Sequence, residues 1–486
     1  METKSENCTD NGKLEKGKDL EMEEVPTNTG PRFGARHTQV ILLFLLVTIA
    51  YAIRVNLSVG IVAMTSDHGP PGIPTYDWDD TNVILSSFFW GYVIPQIGAG
   101  QLAKNFGPRY ILISAMSLCS MFSILIPFMA SLGSYGVMIC RVFQGFGQGF
   151  FYPCAHNILS KWVPLGERTR MGTFVYAGGP FGTVISNPVT AWICDSVIGW
   201  PAAFYIFGGV GFLWVICYAI LGSNTVEDHK SITDEEKNYI KGTLKQNEVD
   251  HSEIPTPWKD MFMSMPMWAI LIAHCGQNWG FWTLLTQIPK YMDKILGFNL
   301  NANGLLSAVP YLALWILSFV FGALSDLFIN KGVVSVGTAR KVTTSIGLFG
   351  PALALLGLGF VSTEDPLAPI VLLVVAVGIN SATYCGYQVN HIDLSPNHAG
   401  TLMGITNGAA NIFSIIAPLS VQFIVPNEYD ADQWKVVFFL SAGIYIICAI
   451  FYLIFGSGER QKWDDFQPIE PVKEAMEDKE EKVEKF

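Results

Sequence analysis

Twelve apolar runs, most of them about 20 residues or longer, constrain most strongly how this chain can fold. A helix of about 20 apolar residues spans the hydrocarbon core of a bilayer. Only 15% of the 486 residues are charged and 50% are hydrophobic, which excludes a soluble enzyme whose helices have polar surfaces. We therefore predict an all-α membrane protein with twelve transmembrane helices. The predicted spans cover about residues 38–64, 82–103, 109–131, 135–160, 171–194, 202–222, 266–290, 303–328, 339–361, 367–393, 398–424 and 434–456.

The longest internal polar stretch divides these spans into two groups of six. Within it, Thr233 and Glu236 have the spacing of a capping box, which predicts a short amphipathic surface helix that ends at Leu244. Much of the net charge of −11 lies in the two ends of the chain, which we predict to be disordered. The predicted organisation is a tail (1–37), a six-helix bundle (38–222), a linker (223–265), a second six-helix bundle (266–456) and a charged tail (457–486).

The basic residues of the connecting segments are distributed asymmetrically. An even number of spans places both tails on one side of the membrane, and most lysines and arginines of the connections fall on that side. On the opposite side, four connections carry no Lys or Arg, and the basic exceptions there are Lys290 and Lys294. The positive-inside rule therefore predicts that both tails are cytoplasmic.

The nine cysteines show no paired spacing in the predicted outer loops. Most lie inside apolar runs, which favours packing over disulfides or metal ligands. We predict no metal site and no cofactor. No cleavable signal peptide is expected, because the first apolar run starts near Thr38 and is too long for one.

Two arginines lie inside predicted spans. On a helix, Arg141, Gln144, Gln148 and Tyr152 share one face, while Gly145 and Gly149 leave a strip that another helix can approach closely. Arg54 shares a face of the first span with Tyr51 and Ser58. Insertion of an arginine at a helix centre costs about 2.5–3.5 kcal/mol, so each should face a wet cavity or a partner.

The two arginines lie at similar predicted depths, about 15 and 9 Å from the outer ends of their spans at 1.5 Å per residue. Both can therefore contact one cavity and hold a single anion there. The alternative is that each arginine bonds helix carbonyls and only holds the bundle together. No acidic residue lies near the middle of a span, which favours the anion site.

The two halves of the chain repeat one pattern. Gly100 opens a polar turn after the second span and Gly322 opens one after the eighth, and basic residues (Arg109; Arg340) begin the next span each time. The fifth and eleventh spans are both interrupted by Gly and Pro, which indicates a transporter with its site between two repeats. The Gly-rich stretches lie within spans and lack the ending of a P-loop, which argues against an ATP-driven pump.

These motifs resemble the major facilitator superfamily, in its two loop copies and in the Arg141–Gly149 signature of the fourth span. The sequences Tyr-Ala-Ile-Arg-Val-Asn-Leu-Ser from Tyr51, Tyr-Pro-Cys-Ala-His from Tyr152 and Asn-His-Ile-Asp from Asn390 are similar to the anion–cation symporter family. That family includes type I sodium/phosphate cotransporters, sialin and vesicular glutamate transporters. The sequence as a whole is most similar to those of invertebrate inorganic phosphate cotransporters. The resemblance implies the major facilitator fold, with two six-helix bundles and alternating access.

The resemblance also assigns roles to individual residues. Arg54 and Arg141 map onto substrate-binding arginines of the family, and Tyr51 and Tyr92 are expected to line the cavity with them. The loop signature maps onto Gly100, Arg109, Gly322 and Asp326, whereas Lys104 stands where the first loop usually has an aspartate.

Gln144 and Gln148 stand where sialin-like members carry the glutamates of proton coupling. Neutral oxygens can hold sodium instead, and the candidates are Asn56, Ser58 and Asn187, with backbone near Gly178–Pro180. Histidine remains the alternative. His156, His274 and His391 can titrate, and His391 with Asp393 lies where a gate is as plausible as a proton relay.

We predict a secondary active anion transporter that is not an enzyme, with sodium-coupled inorganic phosphate symport as the favoured activity. A proton- or voltage-driven organic anion transporter, for sialate, acidic amino acids or urate, is the alternative. An anion channel and a membrane-embedded transferase are the alternatives from other classes. The expected partners are a small anionic solute and the lipid bilayer, without nucleic acid or an obligate protein partner. The plasma membrane is favoured over lysosomal or vesicular membranes.

Overall fold

The structure is a computed structural model that describes residues 30–65, 72–78, 80–244, 255–296, 300–361, 367–427 and 429–464. Those residues form seventeen α-helices joined by short connections. The helices are α1 (Ala35–Met64), α2 (Thr81–Val93), α3 (Gln96–Phe106), α4 (Pro108–Ala130), α5 (Ser134–Gln148), α6 (Phe151–Trp162), α7 (Arg168–Asp195), α8 (Gly199–Leu221), α9 (Asp234–Leu244), α10 (Trp258–Met263), α11 (Met265–Lys294), α12 (Leu300–Asn330), α13 (Val336–Phe360), α14 (Leu367–Asn380), α15 (Val389–Leu394), α16 (Ala399–Ile424) and α17 (Ala431–Phe455).

The helices group into twelve crossings, as predicted. Eight described segments are long and apolar enough to cross a membrane, and the bent pair α2–α3 makes a ninth. The other three crossings are α5–α6, α7 and α11. These are more polar because they carry Arg141, Asn187 and Gln277, among other residues that line the central cavity described below.

Three predicted spans are broken rather than continuous. The second bends by 50° between α2 and α3, where Pro95 lacks the N–H that would continue the first helix. The fourth is interrupted after Gly149, four residues before Pro153. The tenth contains a π-helical turn, Tyr384–Gln388, in which Gly386 leaves helical geometry (φ −92°, ψ −121°). A hydropathy pattern shows none of these breaks, since apolar composition continues through them.

Helices α1–α8 pack with one another, as do α11–α17. Two seams join the groups: α7 packs against α12, and α3 and α6 pack against α16. Small residues permit the closest approaches. A Cβ on Gly145 would clash with the carbonyl of Phe88, and one on Gly91 with that of Val142. The predicted small-residue strip on the fourth span is therefore the α2–α5 contact.

The linker helix α9 docks onto the first group. The Thr233 hydroxyl accepts a hydrogen bond from the Glu236 amide at 3.3 Å, which is half of the predicted capping box. The Glu236 carboxylate instead accepts from the amides of Ala35 (2.8 Å) and Arg36 (3.1 Å). A carboxylate from the linker thus caps the amino end of α1, where the helix dipole favours negative charge.

The predicted charged tail begins with an ordered segment. Between Gly456 and Asp464, the amide of Gln461 donates to the Leu394 carbonyl at 2.9 Å, and Asp464 is fully buried. A charged composition suggested a solvated segment, but here the buried carboxylate has partners. Residues 1–29, 245–254 and 465–486, which hold most of the predicted disorder, lie outside the described residues. Among them is Asn7, whose Asn-Cys-Thr sequence matches the N-glycosylation pattern.

Candidate functional site

A cavity of about 470 Å³ lies between the two groups of helices and is lined by residues from both. It is lined by aromatic rings, by amide side chains and by two arginines. The residues that carry its chemistry are Tyr51, Arg54, Ser58, Phe89, Tyr92, Arg141, Tyr152, Tyr176, Asn187, Gln277, Asn278, Trp282, Tyr311, Gln388, Asn407 and Asn411. The sequence predicted the N-terminal half of this wall through Arg54, Arg141, Tyr51 and Tyr92.

Arg54 is held by aromatic rings. Its side chain comes from α1 and is 8% exposed. The guanidinium carbon lies 4.3 Å from the ring centre of Phe88, 4.8 Å from Tyr92 and 5.1 Å from Tyr51. Such cation–π contacts offset part of the cost of burying a cation without neutralising its charge. A buried Arg54 Nε without a hydrogen-bond partner among the described residues shows that donor capacity remains.

Arg141 lies beside Arg54 and is 2% exposed. It donates to Gln144 Oε1 and to the carbonyl of Arg54, both at 3.1 Å, and its guanidinium lies 4.9 Å from the Phe88 ring centre. The bond to the Arg54 carbonyl is the kind that the alternative interpretation required, because it joins α5 to α1. These bonds do not fill the site, since Arg141 Nε also lacks a partner among the described residues.

The cavity wall holds two cations and no described acidic residue. None of the side chains that line it is Asp or Glu. Two guanidinium groups at one cavity repel each other, and a bound anion would remove that repulsion while satisfying free donors. The arrangement can therefore bind an anion, with the aromatic and amide walls left to select its shape.

The polar face of the fourth span packs on α1. Gln148 donates to the Ala50 carbonyl at 2.8 Å, and the Tyr152 hydroxyl donates to that of Tyr51 at 3.4 Å. Tyr152 reaches the cavity, but Gln144 and Gln148 are buried behind its wall. Gln148 therefore joins α5 to α1, whereas the Gln144 side chain accepts a hydrogen bond from Arg141 within α5.

Asn407 of α16 closes the cavity floor across the α3–α16 seam. Its amide nitrogen donates to the Tyr92 hydroxyl at 3.1 Å and to Gln96 Oε1 at 2.9 Å. Neither Asn407 nor Asn411 was singled out from the sequence. The available signal was two amides one helical turn apart in an otherwise apolar span; α11 likewise carries adjacent amides, Gln277 and Asn278.

Three buried histidines meet below the cavity. The His391 ring centre lies 5.3 Å from that of His156 and 6.2 Å from that of His274. His391 and His274 share the Thr406 hydroxyl, at 2.7 and 3.3 Å. The Tyr176 hydroxyl lies 2.6 Å from His156 Nε2. Nothing in the sequence indicates that these three candidate histidines are neighbours. The structure brings them into one cluster.

Asp393 is the centre of an ionic contact on the tail side. Its carboxylate lies 3.2 Å from Arg168 Nη1 and 2.7 Å from Arg340 Nε. Arg340 also donates to Thr169 Oγ1 at 2.9 Å. Arg168 and Thr169 begin α7 of the first group, whereas Asp393 and Arg340 belong to the second. These bonds therefore hold the groups together on the tail side.

The loop-motif residues lie at the two seams. A Cβ on Gly100 would clash with the Gly400 backbone, and one on Gly322 would lie 3.2 Å from Thr173 Cβ. Asp326 accepts from the Arg170 amide at 2.7 Å. Arg109 instead donates to the Ala219 carbonyl within the first group. The two glycines and Asp326 thus join the two groups of helices on the tail side.

The sodium candidates are dispersed. Ser58 and Asn187 line the cavity, whereas the Asn56 amide is buried elsewhere with neither atom hydrogen-bonded to a described residue. Pro180 lacks the N–H that would bond the Tyr176 carbonyl in α7, which frees a backbone oxygen near the cavity. No group of three His, Cys, Asp or Glu suited to a metal ion occurs among the described residues.

A sequence profile of the Major Facilitator Superfamily matches residues 43–418. The chain belongs to the major facilitator superfamily. It is therefore a multi-pass membrane transporter rather than an enzyme. A solved structure of the proton:xylose symporter XylE, 14% identical, superposes with a TM-score of 0.66 over 87% of this chain and 98% of that one. At that identity the likeness supports the fold alone.

Curated relatives place this major facilitator protein in one branch, the family of type I phosphate cotransporters, as the motifs predicted. A Drosophila ananassae protein named "Putative inorganic phosphate cotransporter" is 41% identical over 87% of this chain and 93% of its own length. Human sialin is 35% identical over 88% and 90%. Human vesicular glutamate transporter 2 is 34% identical over 93% and 80%.

Proposed function

We propose that this protein moves a small anion across the membrane by alternating access, with Arg54 and Arg141 as the binding groups. The main observation in support is that both guanidinium groups line one cavity, and the described lining of that cavity contains no carboxylate. The favoured activity is sodium-coupled symport of inorganic phosphate. Two planar guanidinium groups suit a tetrahedral oxyanion, because each can donate two parallel hydrogen bonds.

The relatives support phosphate as the first substrate to test. Two Drosophila proteins named as inorganic phosphate cotransporters are 41% and 40% identical to this chain. Sialin and vesicular glutamate transporter relatives are 34–36% identical.

An organic anion is the second candidate, and the size and polar lining of the cavity favour it. A volume of about 470 Å³ exceeds what a phosphate ion fills, and four amide side chains face it from α11 and α16. Amides offer both donors and acceptors, which suits a ligand that carries hydroxyl or amide groups besides its charge. The amides are Gln277, Asn278, Asn407 and Asn411.

The contacts between the helix groups support alternating access. The ionic contact around Asp393 and the Gly100 and Gly322 approaches all lie on the tail side. On the opposite side of the cavity, Phe89 meets Trp282 in an edge-to-face contact with ring centres 5.1 Å apart. Separation of that aromatic pair opens one side, and rupture of the ionic contact opens the other.

Sodium is favoured over protons because Gln144 and Gln148 cannot titrate. Both are already engaged, Gln144 with Arg141 and Gln148 with the Ala50 carbonyl. Neutral oxygens near the cavity, such as those of Ser58 and Asn187, suit sodium. The histidine cluster around His391 is the competing route for protons.

The deciding experiment is uptake into proteoliposomes at clamped membrane potential, with labelled phosphate, urate, glutamate and sialate tested in parallel. A sodium gradient and a proton gradient are imposed separately. We expect phosphate uptake that requires sodium and responds weakly to the proton gradient. Uptake that follows the proton gradient without sodium would overturn the coupling, and uptake of another anion alone would overturn the substrate. Flux that never exceeds equilibration would indicate a channel.

We also propose that the protein acts in the plasma membrane with both tails in the cytoplasm. The charge asymmetry of the connections supports this orientation. Surface biotinylation of intact cells tests the location: labelling of the protein supports it, and recovery only from internal membranes contradicts it.

A further inference from the structure

A second cavity, of about 560 Å³, lies at the tail-side end of the α7–α12 seam. It shares no lining residue with the central cavity. Its walls come from α1, α7, α12 and the segment that precedes α1. Ile41 on one wall is 39% exposed and Phe33 at the edge is 67% exposed, so the cavity opens to the outside of the helix bundle. It therefore opens where span α1 begins, at the level of lipid headgroups.

Two arginines border this cavity. Arg32 is exposed, and the Arg170 side chain is 57% exposed, with one long contact of 3.4 Å to Glu167. Arg36 nearby differs, because it is 1% exposed and pairs with Glu167 at 2.8 Å and Glu236 at 3.1 Å. Arg36 is thus engaged inside the protein, whereas Arg32 and Arg170 retain donors for an anion.

A buried threonine also forms part of the cavity wall. Thr173 of α7 is 1% exposed and lines the wall, yet its Oγ1 has no hydrogen-bond partner among the described residues. A threonine in a helix ordinarily bonds the carbonyl four residues earlier. An unsatisfied buried hydroxyl is costly, so a ligand that hydrogen-bonds it gains affinity.

The remaining walls are apolar. Val40, Ile41, Phe174 and Phe319 continue from the arginines toward the membrane interior. A soluble anion would use the arginines and leave these side chains without a partner. An amphiphile with a negative headgroup uses both, since acyl chains cover the apolar wall while the phosphate meets the cations.

We propose that this cavity binds an anionic phospholipid, with its phosphate between Arg32 and Arg170 and its glycerol region at Thr173. The bound lipid contacts both groups of helices, because α1 and α7 belong to the first and α12 to the second. It therefore stabilises the arrangement in which this seam is closed. The site is independent of which solute the central cavity carries.

The test is native mass spectrometry of delipidated full-length protein titrated with phosphatidylglycerol or with phosphatidylcholine of the same chain length. We expect phosphatidylglycerol to bind more tightly. The Arg32→Gln/Arg170→Gln variant should lose about thirtyfold in phosphatidylglycerol affinity, because two basic residues at about 1 kcal/mol each contribute about 2 kcal/mol. Thr173→Val, which keeps the shape, should also weaken binding. The matched control Lys230→Gln/Lys331→Gln removes two exposed tail-side charges and should bind as the wild type does.

Three results would overturn the proposal. Equal affinity for the two lipids would show that the headgroup charge is not recognised. An equal loss in the control variant would show diffuse attraction rather than a site. Competition by inorganic phosphate or by soluble glycerophosphoglycerol at the same concentration as the lipid would assign the cavity to a soluble anion.

Discussion

His398 Nδ1 lies 3.0 Å from Asp464 Oδ1, which fastens the C-terminal segment to the residue before α16. The other imidazole nitrogen, Nε2, lies 3.2 Å from Lys104 Nζ of α3. Lys104 occupies the position where the loop signature usually has aspartate, and Asp326 occupies the second copy. Asp326 accepts from an amide at the start of α7. The amino ends of helices favour negative charge. Asp464 therefore supplies, near the start of α16, the negative charge that Lys104 cannot supply.

We predict that Asp464→Asn lowers the thermal midpoint of the purified protein at pH 7. Asp464 is fully buried and accepts hydrogen bonds from Ser395 and His398, and bonds of this charged kind contribute about 1.5–3 kcal/mol. The control is Asp432→Asn, whose side chain is 82% exposed. Thermal unfolding in detergent measures both variants. Equal midpoints for Asp464→Asn and wild type would contradict this role.

The same variant should show a pH dependence. Burial alone would raise the pKa of Asp464, but the bonds from His398 and Ser395 and the charge of Arg460 hold that pKa below its ordinary value of 3.8. The carboxylate therefore contributes stability above pH 3.8, and this contribution is lost as pH falls through the lower folded-state pKa. The difference in thermal midpoint between wild type and Asp464→Asn should therefore shrink below pH 3.8. A difference that stays constant at lower pH would contradict it.

Gly145→Ala should destabilise the first helix group. Its methyl would clash with the Phe88 carbonyl of α2, so the helices must separate, at a cost of about 1–3 kcal/mol. Gly209→Ala in α8 is the matched control, because a Cβ at that position would meet no atom within 4 Å. The yield of monodisperse protein after detergent extraction measures both. Equal yields would show that the α2–α5 contact is looser than described.

Asp393→Asn should loosen the tail-side closure. The change removes the charge that joins Arg168 to Arg340 and leaves two buried cations facing each other. Cys385 is fully buried near this contact and can report the opening through its rate of maleimide modification in a variant that retains no other cysteine. We expect faster modification than in the exposed control Asp260→Asn. An unchanged rate would show that Asp393 does not hold the gate.

Epitope tags test the predicted orientation. Tags at either end, or after Leu244, should be protected from impermeant reagents in intact cells. Asn7 matches the glycosylation pattern Asn-Cys-Thr, yet it should stay unmodified on the cytoplasmic side. A glycan on Asn7 would reverse the orientation.

The sequence predicted the twelve crossings and the polar face of the fourth span because both depend on local periodicity. Arg141, Gln148 and Tyr152 all contact one helix, α1, at Arg54, Ala50 and Tyr51. The cost of burying Arg54 and Arg141 predicted a shared cavity. In each case a local physical constraint on single helices carried the prediction.

What the sequence did not predict depends on contacts between distant segments. Asn407 contacts Tyr92 across 315 positions, and an amide in an apolar helix belongs to no sequence pattern that identifies its distant partner. Asp464 belongs to a charged end that composition marks as solvated, and its burial depends on His398. The break at Gly386 follows from backbone geometry rather than composition.

The most direct measurement is uptake of the transported anion into proteoliposomes by Arg54→Ala and Arg141→Ala, beside Lys435→Ala as an exposed control. We expect each arginine variant to incorporate normally and to lose about tenfold or more of its uptake, because a charge-assisted contact to the anion is removed. Arg→Lys changes should restore little, since lysine cannot donate in a bidentate fork. Wild-type uptake by either alanine variant would remove that arginine from the site, and wild-type uptake by both would contradict the two-arginine anion site.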